Sequence, residues 1–208
     1  MPNANAPRGF MPVCYVSGAP YNGAHTVYFV PATDAQALFI GDPVITVTAA
    51  ADANGIPVVT RASGLAAAGA AIDTPMFTGA ITGILMAGTP VVGFTRDSPV
   101  FRPASVAAYI AVADDPNLMF EMQEDSIGAT FAATVVGRNA VVATAAGSTV
   151  TGYSGFQLDS SVAVVATNTI PVRVLRAVQR ADNAIGAFCK WLVKINGAHH
   201  TMVSGTGI

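Results

Sequence analysis

The chain has 208 residues, a formal net charge of −2, 52% hydrophobic residues and 11% charged ones. That length supports one substantial domain or two small ones sharing an interface, and the near-neutral charge supplies no global positive field to draw in nucleic acid. The charged share falls well below the roughly 25% of an ordinary soluble domain. Much of the surface must therefore be Ala, Thr, Ser, Gly and Val. Two readings fit this: a protein covered by neighbouring protein copies, or a monomer coated with small and hydroxyl-bearing residues.

In chain order, residues 1–12 hold Pro2, Pro7 and Pro12 among Asn and Gly. Proline fixes φ and removes a donor, so this stretch is expected to be an extended arm, lying on its own domain or reaching a neighbour. Deleting it is expected to leave the rest folded. Its large side chains are Arg8 and Phe10. Residues 13–208 then read as a single β-rich domain. Strands are expected over 25–30 (HTVYFV), 43–48 (PVITVT) and 56–61 (IPVVTR), with a turn at 52–55 (DANG).

The Ala- and Gly-rich middle, 62–88, reads as an insertion or long loop. Asp73 and Pro75 interrupt its most lipid-like part, so no membrane-spanning helix is expected there. Short apolar runs follow at 80–86, 90–94 and 105–113. Stretches 65–71 and 141–147 read as low-complexity loops or strand ends that pack closely. The strongest strand signals are 161–166, 169–178 and 188–195. In the last, Cys189, Trp191, Val193 and Ile195 alternate with Phe188, Lys190, Leu192 and Lys194. This is the period-two pattern of a half-buried strand whose inner face carries the tryptophan. Helix remains an alternative for 105–111 and 174–183, although Val and Ile favour strand in both. With 20 glycines and 13 prolines, the chain is expected to be all-β, a sandwich or barrel with an extended N-terminal arm.

Chemistry-bearing patterns are sparse. His25 stands alone in a strand, where a hydrogen-bonded structural role is expected. His199 and His200 are adjacent and would face opposite sides of a strand, so they would not share a metal. The sequence holds no GxSxG elbow, no phosphate-binding GxxxxGK[ST] loop and no GxGxxG. Asp114-Asp115-Pro116 reads as an acidic turn, with the alternative that Asp114 and Glu121 hold a cation such as Ca²⁺ across a hairpin. No catalytic, metal-ligating or cofactor-binding set is expected, and no enzyme activity. Cys14 and Cys189 lie far apart outside any CxxC pattern, which fits reduced thiols in a protein made in the cytoplasm. The opening residues lack the apolar core of a signal peptide.

Charges are segregated. Asp114, Asp115, Glu121, Glu124 and Asp125 gather five of twelve acids, and Arg173, Arg176, Arg180, Lys190 and Lys194 gather five of ten bases. Such patches either register neighbouring subunits or are solvated faces of the chain itself. From these patches and the arm, the candidate protein-interface residues are Arg8, Phe10, Asp114, Asp115, Glu121, Arg173, Arg176, Arg180 and Lys194.

Several segments in order, NANAPRGFMPV, FIGDPV, VVGF, FRPASVAAYIAVADDPNLMFEMQED, GYSGFQLD, VRVLRAVQRADNAIG and KWLVKIN, resemble virion structural proteins of tailed bacteriophages. The likeness runs from about residue 3 to residue 196 and is greatest to small capsid-associated proteins that stabilise or decorate the head. It implies a cement or decoration protein on the outer surface of the head, produced in the bacterial cytoplasm. Its partners would be the major capsid protein and further copies of itself, as a dimer or trimer, without direct contact to nucleic acid or membrane. Other expectations from the same composition are a tail-tube, neck or fibre-base protein, and a carbohydrate-binding β-domain. The last needs exposed aromatics, and the single tryptophan, Trp191, is expected to face inward.

Overall fold

The computed structural model describes residues 3–62, 76–85, 98–166 and 170–203. Fourteen strands make up the described fold: β1 (Met11–Tyr15), β2 (Thr26–Val30), β3 (Leu38–Phe39), β4 (Pro43–Ala51), β5 (Pro57–Arg61), β6 (Phe77–Leu85), β7 (Phe101–Arg102), β8 (Ala108–Ala113), β9 (Leu118–Gln123), β10 (Asn139–Ala140), β11 (Val142–Ala143), β12 (Gln157–Leu158), β13 (Val172–Ala177) and β14 (Lys190–Ile195). Two single 3₁₀ turns, Ala133–Val135 and Gly197–His199, are the helical elements among the described residues. The protein is all-β, as its composition implies, and it contains both a barrel and an open sheet.

Strands β2, β5, β4, β6 and β8 close into the barrel, with β8 returning to β2. Its interior is filled by Tyr28, Val30, Leu38, Val44, Val59, Ile81, Ile84, Ile110 and Val112. These mostly β-branched side chains suit a pleated wall curved on itself. The open sheet runs β1-β9-β14-β13-β10, and its named neighbours pair antiparallel. One face packs on the outside of the barrel. Phe120, Met122, Val172, Val174, Trp191, Val193 and Ile195 come from the sheet, and Phe77, Ala80 and Ala113 from the barrel, forming one shared core. Trp191 and Val193 of β14 are sealed and Lys190 and Lys194 partly exposed, as the alternation implies. Leu192, expected on the outward face, is buried as well, because β9 and β13 cover it from both sides.

Phe10 sits between the two units. Its ring lies 5.6 Å from that of Phe120 in the sheet and 6.1 Å from that of Phe77 in the barrel, and it is wholly buried. The backbone enters this position through Gly9 at φ +68°, packed so closely on Gly41 (φ +92°) that a Cβ on either would collide with the other segment's main chain. Only glycine gives both the left-handed conformation and that approach. The Phe10 N–H donates to the Gly41 carbonyl.

The extended segment therefore ends two residues earlier than expected, since Met11 and Pro12 already belong to β1. It lies on its own domain: Asn3 Nδ2 donates to the carbonyls of Ala184 and Ala187, and Asn3 Oδ1 accepts from the Ala184 N–H. With Phe10 in the core, removal of residues 1–12 would take out a core ring and the first two positions of an edge strand. The expectation that the domain stays folded without residues 1–12 is revised accordingly.

Other expectations differ in position. β1 and β9 carry no strong local strand signal, and both are set by pairing in the sheet; β1 tolerates Pro12 as an edge strand with an irregular register there. The run 161–166 forms only a Val165–Asn139 bridge. Helix at 105–111 and 174–183 gives way to β8 and β13. The apolar run 90–94, the low-complexity run 65–71 and residues 63–75 and 86–88 lie outside the described residues. The described part of the Ala- and Gly-rich middle, Phe77–Leu85, is the barrel strand β6 and not an insertion or long loop, because its small and apolar side chains are buried between β4 and β8. In 141–147 the close packing is present: a Cβ at Gly147 would run into the Phe39 ring, which stacks on Phe101 at 5.3 Å.

A buried arginine ties one end of the barrel together. The Arg102 guanidinium donates to the carbonyls of Pro31, Asp34, Gln36 and Val106 and stands 3.7 Å from the Asp34 carboxylate. No described helix is long and apolar enough to cross a membrane.

Candidate interaction face

The face of the open sheet turned away from the barrel is ordered by register. One cross-strand row runs Met11–Glu121–Leu192–Arg176 over β1, β9, β14 and β13. The next row is Cys14–Met119–Lys194–Arg173, and on the other side Gln123 stands opposite Lys190. The first row alternates apolar and charged side chains, and the second sets two apolar residues beside two basic ones, on a face whose reverse is a sealed core.

Two depressions open on it and share Glu121. One is a cleft of about 270 Å³ lined by Ala6, Arg8, Gly9, Met11, Glu121, Gln123, Arg180, Asp182 and Lys190. The other, about 190 Å³, is lined by Val13, Cys14, Glu121, Arg176, Val178, Gln179 and Leu192. The N-terminal segment forms one wall of the first. The Ala6 N–H donates to Gln123 Oε1, and Gln123 Nε2 donates to Asn5 Oδ1, so both ends of a buried amide are used to fix that wall.

The charges of this face are only partly spent within the chain. Arg180 Nη1 reaches Glu121 Oε2 at 2.8 Å and its Nε reaches Asp182 Oδ1 at 3.1 Å. Although partial burial works against it, the Arg180 guanidinium is held above its usual range by these two carboxylates. Asp182 is held below the usual carboxylate range, chiefly by the hydrogen bond from Arg180 and also by the field of Lys190. Arg8 lies over the Tyr153 ring at 4.8 Å, a cation–π contact that positions its charge at the cleft rim without neutralising it.

Among the candidate interface residues, Arg8, Glu121, Arg176 and Arg180 come together at these depressions, and Arg173 and Lys194 occupy the adjoining row. Arg173 makes a long 3.5 Å contact to Asn139 Oδ1. Phe10 is removed from the set by its burial. Asp114 and Asp115 lie elsewhere: Asp114 accepts from the Tyr28 hydroxyl at 2.9 Å, which with burial raises the Tyr28 phenol, and Asp115 caps its own turn through the Asn117 N–H. The acidic and basic patches meet inside one molecule, at Glu121 on β9 and Arg180 in the connection between β13 and β14. Of the two carboxylates considered for a cation, Asp114 is engaged by Tyr28 and Glu121 by Arg180, and the described residues contain no group of three or more metal-binding side chains. His199 and His200 lie at a 3₁₀ turn, where His200 Nδ1 accepts the Met202 N–H. His25 Nδ1 donates to the Gly23 carbonyl.

Lys190, Leu192, Gln123 and Asp182 belong to this face but fall outside the interface residues that the sequence points to. The outward alternation of Lys190 and Leu192 is a signal that could have found two of them. Gln123 depends on where residues 5 and 6 cross, and Asp182 on the 178–189 connection, neither of which has a local sequence signature.

Comparison with family models, curated proteins and solved structures finds no match to this chain.

Proposed function

We propose that this chain is a virion structural protein that binds the assembled head of a tailed bacteriophage and stabilises it by bridging neighbouring capsid subunits, as a cement or decoration protein. The observation that carries the reading is the charged share of 11%, too low for a fully solvated surface and suited to cover by neighbouring proteins. An all-β body fixed by a shared core suits a clamp that must not deform. Internal pressure on a shell tends to part its subunits, so a protein bound across them adds binding energy that is lost on separation. Many copies at symmetric sites act together.

The test is to purify particles, count copies of the chain and locate them on the head. Hundreds of copies on the outer surface, with heads that rupture at lower temperature when the gene product is absent, is the expected result. A handful of copies in a ring at the neck or along the tail would replace it with another virion role. Absence from particles would end it.

A further inference from the structure

We infer that the two depressions around Glu121 form one docking groove for an extended segment of a partner protein bearing two carboxylates and an apolar side chain. This rests on the reading of the chain as one that docks on other proteins, and adds the chemistry of the segment it receives.

Four basic side chains, Arg8, Lys190, Arg180 and Arg176, line the groove with two carboxylates, Glu121 and Asp182. Arg180 answers both carboxylates. Arg8, Lys190 and Arg176 have no ion-pair partner among the described residues; Lys190 acts on Asp182 only through its field. The surplus is positive at both ends, with Arg8 and Lys190 at one and Arg176 at the other. Leu192, Val178 and Val13 add apolar surface to the depression that holds Arg176, of which Val13 is 42% exposed.

Spacing sets the segment's pattern. From β1 to β13 the row Met11–Glu121–Leu192–Arg176 crosses three inter-strand steps, about 14 Å at ~4.8 Å each. An extended chain covers that in about four residues. Two carboxylates about four positions apart on an extended segment therefore span this row from the β1 edge to Arg176, and alternate side chains of such a segment point the same way. Leu192 lies beside Arg176 in the row, and Lys190 stands on the same strand as Leu192. Leaving either carboxylate unpaired, or placing a base there, opposes the surplus charge.

The probe is a blocked heptapeptide with glutamates at its second and sixth positions, leucine at its fourth and threonine or alanine elsewhere. It is titrated at low salt into the ¹⁵N-labelled full chain, beside a counterpart with lysines for glutamates. Saturable amide shifts confined to the segments around Arg8, Glu121, Arg176 and Lys190–Leu192 are expected. Binding should be at least tenfold weaker for the lysine peptide and for an Arg8→Glu/Lys190→Glu variant whose melting curve matches the parent. Shifts that do not saturate, fall on other strands or appear equally with the lysine peptide overturn the inference. So does undiminished binding by the double variant. The outcome is separable from the virion reading: copies on the head with no peptide binding remove only this inference, and peptide binding with no copies on particles removes only the other.

Discussion

Phe10 meets Phe120 edge-on, the ring planes at 84°, and the same ring touches Phe77 on its other side. One aromatic from the N-terminal segment thus joins the open sheet to the barrel. Aromatic pairs in this geometry add to the area they bury. Phe10→Ala is expected to cost about 3–5 kcal/mol, measured by urea denaturation. Deleting residues 1–7 instead should cost far less, since hydrogen bonds at mostly exposed positions are what hold that stretch. Equal destabilisation by the two changes would show that Phe10 does not join the units.

Trp191 is sealed against Phe131, ring centres 6.2 Å apart. Burial raises the Glu124 carboxyl against the pull of the Phe131 N–H and of the nearby indole N–H of Trp191, which itself falls short of hydrogen-bond geometry. Trp191→Ala should also cost about 3–5 kcal/mol, whereas Trp191→Phe should retain most of the stability because no indole hydrogen bond is broken. If Trp191→Phe proves as damaging as the alanine change, the indole nitrogen has a role that this geometry does not give it.

Arg102 replaces water for four carbonyls at one end of the barrel. Arg102→Leu keeps bulk and removes every donor, and is expected to destabilise by about 3 kcal/mol or more. Arg102→Lys should recover only part, because a single ammonium does not reproduce the planar fork. A leucine variant as stable as the parent would mean that solvent satisfies those carbonyls unaided.

Asp42 sits where four segments meet: its turn accepts Phe10 through Gly41, exchanges backbone hydrogen bonds with Ile81 and adjoins the Ile40–Ser154 contact. One carboxylate oxygen accepts the Phe39 N–H at 3.0 Å. The other faces Ser154 and Arg61 without a hydrogen bond of good geometry. Burial pushes this carboxyl from an ordinary 3.8 up to about 6, against the pull of Ser154, the Phe39 N–H and Arg61. An acid whose folded pKa is raised holds its proton more tightly when folded. The contribution of Asp42 to stability is therefore fully present below about pH 4, declines as pH rises to about 6, and stays low above it. The change is at most about 3 kcal/mol. Asp42→Asn should remove that slope and be more stable than the parent at pH 8, as read from melts across pH 4–8. An unchanged slope would place the titration on another group.

The Arg180–Glu121 pair is partly solvated, with side chains 40% and 20% exposed. Screening keeps such pairs small. Arg180→Ala should shift stability by about 1 kcal/mol or less, and the shift should shrink further in 1 M salt. A larger effect that salt does not reduce would make this contact a packing one.

Both cysteines are free thiols. Burial raises the Cys189 thiol to about 11, with Glu124 adding to the effect, while Cys14 is partly exposed at the groove. A thiol reagent at pH 8 should modify Cys14 in the folded protein and Cys189 only after denaturant is added. Prompt reaction of both would contradict the sealed position of Cys189.

The class of structure and the two faces of one strand were legible from local pattern alone. Few helix signals, frequent Gly and Pro, and β-branched runs left no helical core to build, and the alternation of Trp191, Val193 and Ile195 with Lys190 and Lys194 fixed what faces inward. Those are local properties with a period of two, readable wherever they occur. The remaining features came from long-range packing. Met11–Tyr15 and Leu118–Gln123 mix Val13, Tyr15 and Phe120 with Pro, Met, Glu and Gln, which favour strands less, and they become strands because β14 and the shared core offer them partners. Whether Phe10 belonged to a surface arm or a core depended on the close approach of Gly9 to Gly41, which joins residues remote in sequence. The same holds for the charges: Glu121 and Arg180 are 59 residues apart, and only strand order places them side by side within one molecule. Strand order is set by which faces can be buried together, and no local pattern encodes that.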